Sequence, residues 1–343
     1  MEGLNNYKKM KLKAILFYIL ISISYQSFSQ ELVAMFKDKG KWGFIDEQEN
    51  ILVKPIFSFC RPMTNGMAKI DKTKFVNIKG EKIAAKHILK EARGFSDGLS
   101  AISSGKWGYM NTNGETIIPE KFDFATDFNN GYALVTDKNG SFVIDKKGNL
   151  KEIKINSGKI THLKPFTENK APIEINGKWG FVDTNGVIII EPKFVNVGYF
   201  GHNLAWVRVE GNSIGYINTL GNWVIEPKLI GGGIFDESSG VARIKNKNGW
   251  GYMNIKGELL PIKNIEVYNH FEDGVCLVRS KGKWGYLNPD GSWLIVPTYS
   301  SALSFKNDFA PVQIKGKWGV INKKGELIIQ PKYEYIKNFN KAN

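Results

Sequence analysis

Lys283-Trp284-Gly285-Tyr286-Leu287-Asn288, followed by Asp290-Gly291, Leu294-Ile295, Pro297 and Tyr299, is a stretch that the 343-residue chain writes many times. Trp-Gly recurs at Trp42-Gly43, Trp107-Gly108, Trp179-Gly180, Trp250-Gly251, Trp284-Gly285 and Trp318-Gly319. Thr73, Ser141 and Ile214 hold the Trp slot in three degenerate copies. The nine slots are separated by 31, 34, 34, 38, 35, 36, 34 and 34 residues. A period of this length, kept over nearly the whole chain, marks a tandem array of small supersecondary units.

Each copy reads as three short strands. The first is Trp-Gly-aromatic-aliphatic-Asp/Asn, as in Trp179-Gly180-Phe181-Val182-Asp183, with Trp179, Phe181 and Asp183 on one face. A tight turn follows, ending on Gly (Thr184-Asn185-Gly186, Thr112-Asn113-Gly114), because only Gly takes positive φ at no steric cost. The second strand is a β-branched run closed by Pro, such as Val187 to Ile190 before Pro192. A longer loop with an aromatic residue (Phe128, Phe271, Phe305) leads to the third strand, as in Ala133-Leu134-Val135. The second strand is apolar at consecutive positions, so each small sheet has two faces to bury and needs a neighbour above and below. Gly beside Trp is expected to let a neighbouring sheet or ring come close.

The Lys-Trp-Gly-[Phe/Tyr]-[Ile/Val]-[Asp/Asn]…Gly…Ile-Ile-x-Pro-x-[Phe/Tyr] pattern resembles the bacterial WG-containing (KWG) repeat family, over residues 31–343. The resemblance implies a β-rich tandem array, often in exported or surface proteins. It brings no shared activity and no catalytic residues. The fold expected is all-β: nine three-stranded antiparallel units. Leu32 to Phe36 matches a third strand, and the copy at Trp318 stops before its own. That phase suits a ring zipped shut by its termini, and equally one frame of an open array. Nine units exceed the roughly four to eight blades usual in a ring. An open, twisted superhelix or solenoid is therefore the favoured expectation, with a closed propeller-like ring as the alternative.

Residues 1–29 are of another kind. Lys8, Lys9, Lys11 and Lys13 precede the apolar stretch Ala14 to Ile23, then Ser27-Phe28-Ser29. This reads as a signal peptide cleaved before Gln30, leaving 30–343 as one WG-repeat domain with no membrane span. Either Met1 or Met10 is the start, since the segment before Met10 adds nothing a signal needs. Export to the periplasm, cell surface or medium follows. Of the net charge of +14, these residues carry four Lys and one Glu, so the remainder carries +11. Only five of the 47 basic residues are Arg. Lys lies in repeat turns and beside strand-ending Pro (Lys41, Lys193, Lys228, Lys283, Lys317), as expected of solvated strand edges. Base readout leans on Arg, so nucleic acid is not an expected partner. Cys60 and Cys276 lie too many units apart in a stacked array to bridge, and Cys276 holds a slot that is Ala in other copies.

No chemistry-bearing constellation stands out. His87, His162, His202 and His270 share no repeat position and show no metal-ligand spacing. The Asp-x-x-Gly and Asn-x-x-Gly tetrads (Asp183 to Gly186, Asn111 to Gly114, Asp145 to Gly148) read as turns, not as calcium loops. Neither an enzyme, nor a cofactor, nor a metal is expected. The Trp and Gly residues of the six Trp-Gly pairs are assigned structural roles. A binding role points to the position after the small third-strand Ala, which varies among Met35, Leu134, Pro172, Arg243, Pro311 and Trp206. Trp206 is the tryptophan the repeat explains least. It is either an aromatic platform for a sugar or partner, or filler for the missing Trp at Ile214. Trp223 and Trp293 share a slot with Ile51, Ile188 and Leu327 and are read as core. Gly231-Gly232-Gly233 with Asp236-Glu237-Ser238-Ser239 reads as a tolerated acidic loop. The expected function is an extended binding or scaffolding surface for protein partners, with cell-surface glycan recognition or polysaccharide processing as the alternative.

Overall fold

A computed structural model describes residues 31–155, 158–262 and 264–342. Residues 1–29, read above as a signal peptide, lie outside the described residues. From Leu32 onward the chain forms nine small antiparallel sheets, each centred on a strand holding one Trp slot, from Lys41–Asp46 in blade 1 to Lys317–Asn322 in blade 9. Most blades have four strands, not three. Blade 5 runs Ile160–Leu163, Lys170–Ile175, Lys178–Asp183, Ile188–Phe194 from the inside out. The extra, innermost strand comes from the longer loop and in several blades is two residues long (Phe124–Ala125, Ser301–Ala302), too short to leave a period in the sequence.

The open superhelix is overturned by the termini. Tyr335–Ile336 and Asn340–Lys341 pair antiparallel with Leu32–Asp38, opposing Ile336 to Phe36 and Asn340 to Val33. The amides of Glu334 and Lys337 donate to the carbonyls of Lys37 and Met35 at 3.1 and 2.8 Å. The last stretch of chain thus supplies the innermost strand of the first blade, closing a nine-bladed propeller. Burial gives the same answer. Nine apolar clusters are found among the described residues, one between each pair of neighbouring blades, including Phe36, Ile45, Ile336 and Phe339 of blade 1 against Trp318, Val320 and Ile329 of blade 9 across the seam. An open row of nine would bury one interface fewer and leave two greasy ends in water. Residues of blades 8, 9 and 1 and of the linker to blade 2 line one cavity of 410 Å³: Glu272, Leu303, Tyr335, Lys337 and Pro62.

The side chain two past the Trp slot forms the centre of each interface, and the Trp lies at its margin. Tyr109, Phe181, Tyr216, Tyr252 and Tyr286 are fully buried, each meeting the loop phenylalanine of the next blade (Phe128, Phe200, Phe235, Phe271, Phe305) with ring centroids 4.6–5.2 Å apart. Such tilted and edge-on contacts suit the ring quadrupoles. The four tyrosines also donate across the interface to backbone carbonyls 17 residues on, those of Thr126, Gly233, Asn269 and Leu303, at 2.8–3.0 Å. Burial pushes their phenols above the ordinary value. Among the signature tryptophans, Trp318 is 5% exposed and Trp250 44%, with the others half-buried.

The Gly of Trp-Gly is explained within its own blade, which corrects the expectation of a neighbouring sheet. In six blades the outermost strand bulges near its Pro (Ile-x-Pro in four, Val53-Lys54-Pro55 in blade 1, Ile118-Pro119 in blade 3) and folds its backbone over that Gly. A Cβ on Gly180 would sit 2.3 Å from the Ile190 carbonyl oxygen, and one on Gly43 2.6 Å from that of Val53. Blades 2 and 4 carry Lys74 and Phe142 instead, and their outer strands pair in unbroken register without Pro. Gly251 is the exception that fits: among the described residues blade 7 has no outermost strand, and nothing described lies within 4 Å of the added Cβ.

Turn chemistry follows the sequence closely. Asp46, Asn111, Asp145, Asp183, Asn218 and Asn254 each accept two amides of the following turn through one side-chain oxygen. Eight turns end on Gly with φ of 78–86°. Blade 1 puts Glu49 there at φ 68°, a conformation costing about 1 kcal/mol for a residue with a Cβ. Its carboxylate reaches across the seam to Lys332 Nζ (2.6 Å) and the Tyr333 hydroxyl (2.7 Å). Cys60 and Cys276 are both free and buried.

One motif therefore yields two opposite expectations. Gly180→Ala should destabilise by about 1–3 kcal/mol or more, because the bulged strand must move. Gly251→Ala should be neutral or stabilise by about 0.4–1 kcal/mol, through the unfolded chain. Urea midpoints of the two variants check this, and equal losses would contradict the bulge account.

Candidate binding faces

Antiparallel order sorts the loops onto two sides of the ring. The turn between the second and third strands lies at one end of every blade, together with the linker to the next blade. The other two connections lie at the opposite end. Lys39, Lys138, Lys247, Lys281 and Lys315 stand exposed at the tips of the first set, with Lys41, Lys283 and Lys317 at the strand starts beside them. Lys106 and Lys178 on this side are paired with Asp123 and Glu210. The loops between innermost and second strands, on the far side, are acidic: Asp97, Glu168, Asp236, Glu237, Asp273 and Asp308. A net positive charge thus resolves into a basic turn face and an acid-rich loop face, invisible until the turns are placed.

The acidic loops interlock. Asp97 accepts from the Gly131 amide of the next blade (2.6 Å), Asp236 from Gly274 (3.2 Å) and Asp273 from Asp308 (3.3 Å). Glu168 of blade 5 and Glu237 of blade 7 close on the blade 6 turn from both sides, accepting from the Asn203 and His202 amides at 3.2 and 2.6 Å. Burial, then the adjoining Glu237 carboxyl, holds Glu168 above the usual carboxylate range, whereas the hydrogen bond from Glu168 lowers Glu237. Burial likewise raises Asp127 and Glu272.

On the basic side the tryptophans carry cations. Arg93 lies 4.5 Å from the Trp107 ring centroid and donates to the Ala125 carbonyl of the next blade (2.8 Å). Lys164 repeats this over Trp179 (4.2 Å) to Val197 O, and Arg243 over Trp250 (4.3 Å) to Tyr268 O. The half-exposed Trp face is the platform for a bridge to the neighbour's inner-strand edge. No spacing signal pairs these residues in the sequence, because the cation comes from a different strand in different blades.

Trp206 is half-buried in the cluster between blades 6 and 7, beside Ile214 and Tyr216. Its indole covers Gly198, where an added Cβ would fall 2.1 Å from Nε1. The variable position it represents faces the next blade, not solvent: Met35, Leu134, Pro172 and Pro311 are buried. Trp223 and Trp293, expected in the core, lie on outermost strands at 37% and 38% exposure, since the rim has no further strand to cover it. His162 stacks on Trp179 and is hydrogen-bonded to Glu174, and His87 to Glu120; the structure brings no two histidines together in these contacts. Among the described residues no group of three His, Cys, Asp or Glu side chains is placed to hold a metal. Two grooves of 690 Å³ flank the degenerate copy of blade 4; one is lined by Glu152, Lys154, Asn176, Lys178, Asn185 and Glu191.

The carboxyl pair gives a pH dependence with a definite sign. A raised folded value for Glu168 means stability that is complete at acid pH and lost as pH rises above about 4.5 through that raised value. Glu168→Gln keeps a donor toward Glu237 at every pH, so this loss should vanish. Thermal melts of both proteins from about pH 4.5 to about pH 8 should diverge upward in pH, the variant being the more stable. Parallel curves would contradict the shared proton.

The WG-containing repeat model matches residues 42–73, 107–142, 142–179, 179–212, 214–250, 284–318 and 318–342. No curated protein matches the chain. Among solved structures, a eukaryotic initiation factor aligns at TM-score 0.58 and 10% identity over 91% of this chain and 98% of its own. The computationally designed Ika8 protein aligns at 0.44 and 12% over 87% and 95%, and BamB from Moraxella catarrhalis at 0.41 and 13% over 78% and 94%. At such identity the likeness is one of fold alone. With seven matched repeats over most of its length, the chain belongs to the WG-containing repeat family.

Proposed function

We propose that this protein is an exported, non-enzymatic ring that holds protein partners in the cell envelope, its mature form beginning at Gln30. The observation that carries this reading is closure. A ring locked at every interface presents fixed faces, so side chains free of packing duty keep set positions for a partner. The recurrent polar groups are already engaged: Asp and Asn in turns, tyrosine hydroxyls and Arg/Lys in bridges between blades. What is left over is surface, and two grooves of 690 Å³ sit where blade 4 departs from the repeat. No helix among the described residues is long and apolar enough to cross a membrane.

Capture of the mature protein with cross-linking from envelope fractions of the producing cells tests the reading. It should start at Gln30 and retain one protein in stoichiometric amount, and Lys154→Glu with Lys178→Glu in the blade 4–5 groove should release that protein. Retention of no protein would overturn the proposal. So would polysaccharide cleavage abolished by one carboxylate substitution.

A further inference from the structure

The basic turn face carries a feature that its lysines do not explain. The linkers between blades open on the same side, and several carry exposed apolar side chains. Ile88 is 92% exposed, Ile230 53%, with Trp250 (44%) close by, and Phe59 49%, with the Arg61 guanidinium over its ring. Ile88 lies in Lys86-His87-Ile88-Leu89-Lys90, held near the turn of blade 3 by the Lys90 amide donating to the Ser103 carbonyl. Ile230 is fixed the same way, its amide on Lys245 O at 2.8 Å, next to the Trp250 ring and the turn-tip Lys247. Apolar side chains standing singly on a surface are ordinary. Aliphatic tips raised on tethered linkers, on the one face already lined with exposed turn-tip lysines, are a combination with a chemical meaning.

We infer that this face docks peripherally on a bilayer rich in anionic lipid, the lysines lying in the headgroup layer and Ile88, Ile230 and Phe59 entering its acyl boundary. Membrane association that lasts takes two signals, charge and buried apolar surface, and both are present on one side of the ring. The turn tips come from blades spread around the ring and lie at the same end of each sheet. They therefore meet a planar charged surface many at a time, which a single linear polymer cannot offer. Lys brings compact point charges with no geometric demand, as suits mobile headgroups; the bidentate Arg that a specific phosphate site favours is missing from the turn tips. An acidic polysaccharide would satisfy the lysines. It would leave the isoleucines wet, since sugar rings stack on aromatic faces and gain nothing from an aliphatic tip. Docked this way, the acid-rich loop face points away from the membrane.

Co-sedimentation of the chain from Gln30, which holds the whole ring, with vesicles of phosphatidylcholine alone or mixed equally with phosphatidylglycerol tests this. Binding is expected only to the mixed vesicles, weakening as salt rises. Ile88→Ser should lower the partition coefficient roughly tenfold, as expected for one buried aliphatic side chain. Lys281→Glu with Lys315→Glu should abolish binding at moderate salt. Both are surface changes, so unchanged thermal melts show that the ring is intact. Failure to bind mixed vesicles overturns the proposal. Charge-dependent binding that ignores Ile88→Ser, with equal affinity for a soluble polyuronate, overturns it in favour of a polysaccharide. Protein capture through the blade 4–5 groove stands or falls separately.

Discussion

The structure rests on one constraint: each sheet of this protein is apolar on both faces and too small to cover either. Phe181 faces blade 6 while Val182 faces blade 4, and both are completely buried. Burying a side chain of that kind contributes about 1.5–3 kcal/mol. Seven blades obtain their cover from sequence neighbours. The first and last have no further neighbour, and they obtain it from one another. Phe36, Phe339 and Ile336 have no solvent contact to speak of because the ring closes.

Closure places special demands on one spot, and the sequence departs from its repeat there. Glu49 takes a left-handed backbone that Gly holds in eight other turns, and its carboxylate bonds to blade 9. The Gly40 amide reaches the Glu334 carboxylate at 3.1 Å across the same seam, and Tyr335 sits edge-on between Trp42 and Trp318. A repeat-consensus residue at position 49 would remove strain and lose the bond. The chain passes from Tyr333 of blade 9 straight into the innermost strand of blade 1; what it does not join covalently is that strand to Leu32–Asp38, which ladder hydrogen bonds and side chains hold instead.

Much of this was legible in the sequence. The nine units, the β class, the turn role of the Asp-x-x-Gly tetrads and the burial of Cys276 in an Ala slot all follow from spacing and residue type. Ring against spiral was not, because each interface between neighbours is the same in both and only the accumulated rotation differs. The innermost strand was missed since two paired residues such as Phe124 and Ala125 carry no periodicity. Gly180 was correctly marked as a close approach, but the approaching backbone was misassigned. The pairing of Trp-Gly with Pro192 along the chain was the available clue, as blades 2 and 4 lack both. The binding faces were the least legible: a lysine count says nothing of sidedness until the strand order assigns each turn to an end.

The most direct examination is amide hydrogen exchange at Glu334 and Lys337, whose N–H groups bond to Lys37 and Met35 across the seam. If the ring is closed in solution, both exchange slowly, in step with interior amides such as that of Val182. Exchange at free-peptide rates at these two positions, with Val182 still protected, would mean that the array is open and the account of its closure is wrong.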